Sequence, residues 1–246
     1  MESKGHTVST ERLVGSEVIL TIGGDGTLIH AACEHIELNV PFFGLNAGTL
    51  GFLTAVEASD WKPSVEKIIK GEYFVSERIT LEAELETGNW KLETGNNYRA
   101  VNEIVIKGMY RVIDLEIVVN DQKFLNISGD GVIISTQTGS TAYSLSAGGP
   151  IVDPEVDCLL ITPVNAVGLP IPSVVLSPED KLEIKVLDGD DISLIVDGQK
   201  HTKVLKSQRV KVSRGKYRVK FGYFDKHHFL KSLNAKFGLG GRRIQP

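Results

Sequence analysis

Five residues, Gly23-Gly-Asp-Gly-Thr27, stand between an apolar, β-branched run and a stretch with helical spacing. Glycines at such a junction let backbone N–H groups approach an anion closely, and the following helix N-terminus adds about half a positive charge. That chemistry suits a phosphate. The loop is not a G-x-G-x-x-G dinucleotide fingerprint, nor a P-loop, since no Gly-Lys-Ser/Thr follows. Asp25 is its odd member. A carboxylate here repels a phosphate unless it holds Mg²⁺ or accepts a proton from an attacking hydroxyl. The plainer reading is that Asp25-Gly26 makes the turn and Asp25 caps the helix.

A second candidate is the block from Gly129-Asp130-Gly131 to Gly149-Pro150. A strand over Val132 to Ser135 leads into Thr138-Gly-Ser-Thr-Ala142, small residues that expose backbone and hydroxyls ahead of a helical signal. Such a segment suits a ribose, an adenine edge or a phosphate, and Tyr143 adds an aromatic face. The plainer alternative is a Ser/Thr-rich capping loop. Asn102-Glu103 lies inside an apolar run, Ala100-Val101 before and Ile104-Val-Ile106 after. A polar pair there is hydrogen-bonded or faces a ligand, unless the strand simply emerges into solvent.

The elements that position these residues divide into two periods. Glu17 to Ile22 reads as a strand buried on both faces, Thr27 to Glu37 as a helix with Leu28, Ala31, Ala32 and Ile36 on one face, and Val40 to Leu45 as the next strand. Ser59-Asp60 caps a helix carrying Trp61, Val65, Ile68 and Ile69, which Gly71 stops. Strand, helix, strand, helix implies a parallel sheet. From Tyr73 the period becomes two: Ile79, Leu81, Ala83, Leu85; Ile113, Leu115, Ile117; Leu182, Ile184, Val186; Val210, Val212. Asn120-Asp121, Asp188-Gly189 and Asp197-Gly198 supply turns between antiparallel strands. One helical signal, Ala142 to Ala147, interrupts this half. A final helix spans His228 to Phe237, ends at Gly238 and is expected to return to the first domain. The expected architecture is a Rossmann-like α/β domain over 1–75 joined by 225–246, and a β-rich domain over 76–224.

Composition is that of a folded chain. Of 246 residues, 41% are hydrophobic and 24% charged, which excludes a disordered chain, a collagen-like fibre and a disulfide-dense mini-protein. No apolar run reaches the roughly 20 residues of a membrane span, and the charged start lacks a signal peptide's apolar core, so a soluble, cytoplasmic protein is expected. The net charge of −4 does not favour a broad surface for nucleic acid or membrane. Cys33 and Cys158 sit in apolar settings far apart in sequence and read as buried free thiols. His30 and His35 are off the spacing of a helical metal pair, and no histidine is assigned a role.

Taken together the motifs resemble the NAD kinase family. The matching pieces are Gly23-Gly-Asp-Gly-Thr27, Gly44-Leu-Asn-Ala-Gly-Thr-Leu-Gly-Phe-Leu-Thr54, Asn102-Glu103, Asp130 to Pro150, Asp197-Gly-Gln199 and Phe237-Gly-Leu-Gly-Gly-Arg-Arg243. The Ser-Thr-x-Thr-Gly-Ser-Thr-Ala-Tyr-Ser block is specific. The Gly-Gly-Asp-Gly loop is shared with phosphofructokinases and lipid kinases. The resemblance implies transfer of the γ-phosphoryl group of ATP to the 2′-hydroxyl of the adenosine ribose of NAD, with a divalent cation such as Mg²⁺. Inorganic polyphosphate is the other donor the family allows. It implies that Asp25 is the proton acceptor, with Gly26 beside it on NAD. Asn102 and Glu103 would contact the adenosine part and Asp130 the nicotinamide end. Thr138 and the run Thr141, Ala142, Tyr143, Ser144, Leu145 and Ser146 would line the NAD pocket, with Gln199 a further contact. Gly23, Gly24, Gly26 and Thr27 would hold the donor's phosphates. A homodimer or homotetramer is implied.

Three features depart from the family pattern. Only about 16 residues precede the first strand, so relative to the family a first βα unit is expected to be missing. Gln137 stands where proline is usual, and Ser128 where many relatives carry arginine. A lipid or sugar kinase with the same glycine loop, or a catalytically inactive NAD(P)-binding relative, is the alternative. The small-residue block with Tyr143 argues for a nucleotide acceptor, and Asp25 argues against a pure binding module.

Overall fold

In the computed structural model the described residues are 7–10, 14–48, 51–86, 97–168 and 170–238. The chain forms β1 (Ile19–Gly23), α1 (Asp25–His35), β2 (Phe42–Asn46), β3 (Val56–Glu57), α2 (Trp61–Lys70) and β4 (Phe74–Glu86). Then come β5 (Asn97–Ala100), β6 (Glu103–Gly108), β7 (Ile113–Val119), β8 (Gln122–Gly129), β9 (Gly131–Thr136), the one-turn α3 (Tyr143–Ser146) and β10 (Leu159–Val164). β11 (Val174–Leu176), β12 (Leu182–Asp188), β13 (Ile192–Val196), β14 (Lys200–Val204), β15 (Arg209–Tyr223) and α4 (His228–Phe237) follow. Two compact units result: one runs to Glu77 and resumes at Val219, the other is Arg78–Arg218.

In the first unit β1 and β2 pair in parallel, Ile19 opposite Phe42 through Gly23 opposite Asn46. β3 and the end of β15 flank β2, also in parallel. β2 is therefore buried at all five positions. The strand expected over Glu17 to Ile22 begins later and is not buried on both faces: Ile22 is 72% exposed. The reason is position, because among the described residues β1 pairs only with β2 and forms the sheet edge. α1 buries Leu28, Ile29 and Ala32. The helix expected from Trp61 forms, but Trp61 is half exposed and the buried positions are Ser64 and Ile68. Ser64 is tolerated there because its hydroxyl donates to Asp60 O at 2.8 Å. Gly71 (φ 71°) and Gly238 (φ 64°) end α2 and α4 in the left-handed conformation.

The second unit is antiparallel. One sheet is ordered β11-β10-β9-β6-β13-β14. A second set pairs β12 with β15 and with β7, β7 with β8, and β4 with β5. Between them Ile79, Leu81, Ile106, Leu115, Ile134 and Ile184 share one core at 0% exposure, as the period-two runs predict. Asn120-Asp121 and Asp197-Gly198 each take two successive positive φ values, the pattern of tight hairpin turns. β9 and β10 are buried at every position, because a segment carrying Tyr143 and Ala147 packs over Val105, Ile133 and Val164 on the sheet's other face. No helix among the described residues is long and apolar enough to cross a membrane. Both cysteines are free thiols, Cys158 buried and Cys33 half-buried. Lys4 to His6 and the Leu239 to Arg243 part of the C-terminal motif lie outside the described residues.

Candidate active site

The candidate site residues form two sets, one in each unit. In the first, β1 ends at Gly23 and Gly24 is the N-cap of α1, with no side-chain cap. Asp25 thus does not cap the helix. Its carboxylate instead accepts three consecutive backbone N–H groups from across the loop after β2. Phe52 donates to Oδ2 at 2.6 Å, and Leu53 and Thr54 donate to Oδ1 at 3.1 and 3.0 Å. A carboxylate has about four acceptor sites, so roughly one remains for a further donor such as a substrate hydroxyl.

Glycines make this approach possible. A Cβ on Gly51 would fall 1.9 Å from Asp25 Oδ1, and one on Gly44 would fall 2.8 Å from Thr54 Cγ2. At Gly23 an added Cβ would lie 2.4 Å from Thr27 Oγ1, so this glycine serves packing. At Gly24 and Gly26 it would meet nothing within 4 Å, which leaves open space at the start of α1. A groove of about 400 Å³ continues along α1, lined by Gly26, Thr27, His30, Ala31, Glu34 and His35. The four positions named for a donor's phosphates, Gly23, Gly24, Gly26 and Thr27, therefore cluster with Asp25 at one helix end. Residues 51–54 belong to the stretch that resembles the family motif, yet no side chain among them marks a role in holding Asp25. Their only signal is a glycine before three successive amides.

In the second unit Asp197 repeats the same device. From its left-handed turn its carboxylate accepts the N–H groups of Val101 at 2.8 Å, Asn102 at 2.8 Å and Glu103 at 3.0 Å. Asp197 N–H returns a bond to Glu103 O at 3.0 Å. Thr136 then ties this turn to the small-residue loop. Its hydroxyl donates to Val101 O at 2.7 Å and accepts the N–H groups of Thr138 and Gly139 at 3.1 and 3.2 Å. A Cβ on Gly139 would sit 2.2 Å from Asn102 O. Asn102 and the Thr138–Ala142 loop are therefore fixed against each other. Neither Asp197 nor Thr136 stands out as a site residue in the sequence, since Asp197 acts on, and Thr136 reaches back to, backbone more than 30 residues away.

Glu103 does not emerge into solvent. It is 6% exposed and lies opposite Ser135 on β9. Burial, and secondarily the Asp197 carboxylate, push its pKa up to about 8, so at neutral pH it is the protonated acid and can donate. Five buried polar atoms here have no protein partner: Asn102 Oδ1, Glu103 Oε2, Ser135 Oγ, Gln137 Oε1 and Thr138 Oγ1. Buried polar groups are rarely left so, and a ligand offering several hydroxyls and amides would satisfy them.

The remaining named residues distribute unevenly. Thr141, Ala142, Tyr143 and Leu145 are half-buried and Ser146 is exposed, all on this loop and α3. Ser144 is fully buried and bonds Thr162 Oγ1 at 2.8 Å, so its hydroxyl holds the loop down. Asp130 precedes β9, about 20 Å of strand away from Thr136, and accepts from Asn165 Nδ2 at 2.7 Å. Gln199 is exposed in the β13–β14 turn. Gln137, in the position where proline was the family expectation, donates to Asp157 Oδ1 at 3.0 Å. Arg218 grips both oxygens of that carboxylate at 2.7 and 2.9 Å. Ser128, in the arginine position, pairs with Asp114.

Family models of the ATP-NAD kinase N-terminal and C-terminal domains match residues 4–73 and 101–223. The NAD kinase of Clostridium botulinum (strain Kyoto / Type A2) is 36% identical over 247 residues, covering 99% of this chain and 85% of that protein. The chain belongs to the NAD kinase family. The NAD kinase of Caldanaerobacter subterraneus subsp. tengcongensis is 41% identical over 192 residues, covering 77% of this chain and 67% of that protein. Among solved structures, yeast NADH kinase complexed with NADH superimposes with a TM-score of 0.82 at 25% identity, over 94% of this chain and 69% of that one. An NAD kinase from Archaeoglobus fulgidus in complex with ATP gives 0.75 at 23% identity, over 92% and 85%, and bears on the fold. Family membership does not favour a lipid or sugar kinase.

Proposed function

We propose that this chain phosphorylates NAD at the 2′-hydroxyl of its adenosine ribose, with ATP as donor, giving NADP and ADP. In this reading the 2′-oxygen attacks the γ-phosphorus, the bond to the β–γ bridging oxygen breaks, and the hydroxyl proton passes to Asp25. The observation that carries it is the Asp25 carboxylate, fixed by three amides beside an open glycine turn at a helix N-terminus. Phosphoryl transfer needs mainly positioning and charge neutralisation, and both are what this arrangement supplies. The donor belongs to 1–75 with 225–246, and NAD to 76–224, where Asn102 and Glu103 contact the adenosine part, Asp130 the nicotinamide end, and Thr138, Thr141 to Ser146 and Gln199 line the NAD pocket.

The described residues hold no group of three or more His, Cys, Asp or Glu able to bind a metal. Most of Asp25's acceptor capacity is also taken. These side chains therefore do not form a protein cage for Mg²⁺, and a magnesium ion would arrive on the donor's phosphates with its waters. Assembly as a homodimer or homotetramer in the cytoplasm completes the reading, with light scattering as its check. The decisive assay supplies NAD, ATP and Mg²⁺ and reads the product with an NADP-specific dehydrogenase. NADP should form from NAD, and no sugar or diacylglycerol acceptor should be phosphorylated. Phosphorylation of a sugar or lipid without NADP would replace this function.

A further inference from the structure

Phe52 gives Asp25 the shortest of its three hydrogen bonds, so whatever fixes Phe52 also fixes the carboxylate. Gly51, which adjoins it, has no side chain with which to anchor it. The Phe52 ring is 9% exposed and is held by α4. Phe229, at the start of that helix, lies 6.4 Å from it between ring centroids, and Phe237, at its end, lies 6.3 Å away. Eight residues separate the two, about two turns, so they share a helix face and bracket the ring. Lys236 Nζ sits 4.5 Å over the Phe52 ring. α4 itself is anchored independently of Phe52. Its Ser232 is buried, His228 stacks on Tyr223 at 4.7 Å, and Lys231 pairs with Asp225.

We infer that Phe229 and Phe237, acting through Phe52, are positioning residues for Asp25. Neither touches the carboxylate. They set the plane of the 52–54 amides, and those amides set where the carboxylate points and which of its acceptor sites is left. A ring platform suits this task, because two aromatic neighbours restrain the tilt of a third as well as its depth. The inference rests on the reading of Asp25 as proton acceptor.

The test is a double-mutant cycle in the full chain, with kcat, the KM values for NAD and ATP, and Tm measured for each protein. Phe237→Ala is the primary variant, since its ring is 44% exposed and its loss should leave the fold intact; Phe229→Ala is the second. In the parent, Phe237→Ala should lower kcat about tenfold, as a small misplacement of a reacting group does, with KM for NAD within about twofold. In an Asp25→Asn background the same substitution should cost less than about twofold, because there is no placed base left to misplace. Phe237→Tyr, which keeps the ring, should restore most of the rate. Equal losses in both backgrounds, or an unchanged kcat in both single variants, would overturn the inference. An Asp25→Asn protein with near-parental kcat would instead overturn the role of Asp25 itself, so the two failures are told apart.

Discussion

A carboxylate that accepts three successive amides does two jobs at once, and the glycine beside it decides whether either is possible. Gly51→Ala keeps the Asp25 carboxyl but drives a methyl into it. The expected result is a kcat at least about 100-fold lower, from misplacement alone, with the helix content by circular dichroism unchanged. Glu103 makes a different prediction. Its carboxyl is raised from 4.5 to about 8 by burial and Asp197, so the folded chain keeps a proton that the unfolded chain releases between those values. Stability should therefore fall as pH rises through that window and level off above it. Against Glu103→Gln, which carries no such proton, the parent's Tm should drop by more than about 3 °C between pH 5 and pH 8. Parallel Tm profiles would remove the buried acid from the account. The sequence made Asp25 conspicuous, because a charge among glycines is out of place. It gave no hint of how the charge is held, since the donors lie 27 to 29 residues on and carry no side-chain signature.

At the scale of elements, the hairpin turn between β13 and β14 works as a clamp on the start of β6. Removing it leaves three amides without an acceptor, each costing about 1–3 kcal/mol if it stays buried. Asp197→Ala should raise KM for NAD at least about tenfold while kcat at saturating NAD changes less than about threefold. Gly139→Ala, which pushes the small-residue loop off Asn102, should act in the same direction. An unchanged KM for NAD in both would detach these elements from acceptor binding. The period-two strands and their turns were legible because one face of each meets a core. β9 was legible as an apolar run over Val132 to Ser135, but β10 was not, for a strand covered on both faces loses its alternation. β1 misled in the opposite sense. Its apolar run reads as a central strand, yet it lies at a sheet edge and exposes Ile22.

For the whole molecule, the two periods of the sequence correspond to an α/β unit with an open glycine turn at a helix N-terminus and a β unit with unsatisfied buried polar atoms. If NAD is what satisfies those atoms, it should stabilise the chain without any donor present. At 100 times its Kd a ligand contributes about 2.7 kcal/mol, enough to raise Tm by about 5 °C or more in a chain of this size. Asp197→Ala should need far more NAD for the same rise. What sequence alone could not supply was the pair of carboxylate clamps, because each joins segments distant in the chain through backbone atoms that every residue type shares.

The most direct test is the single-turnover rate of NADP formation from NAD, ATP and Mg²⁺ in the parent and in Asp25→Asn. Loss of a positioned proton acceptor, and of an acceptor for the 52–54 amides, predicts a rate at least about 100-fold slower. KM for NAD should stay within about fivefold of the parent. An Asp25→Asn protein that forms NADP at a rate close to the parent's would contradict the account at its centre.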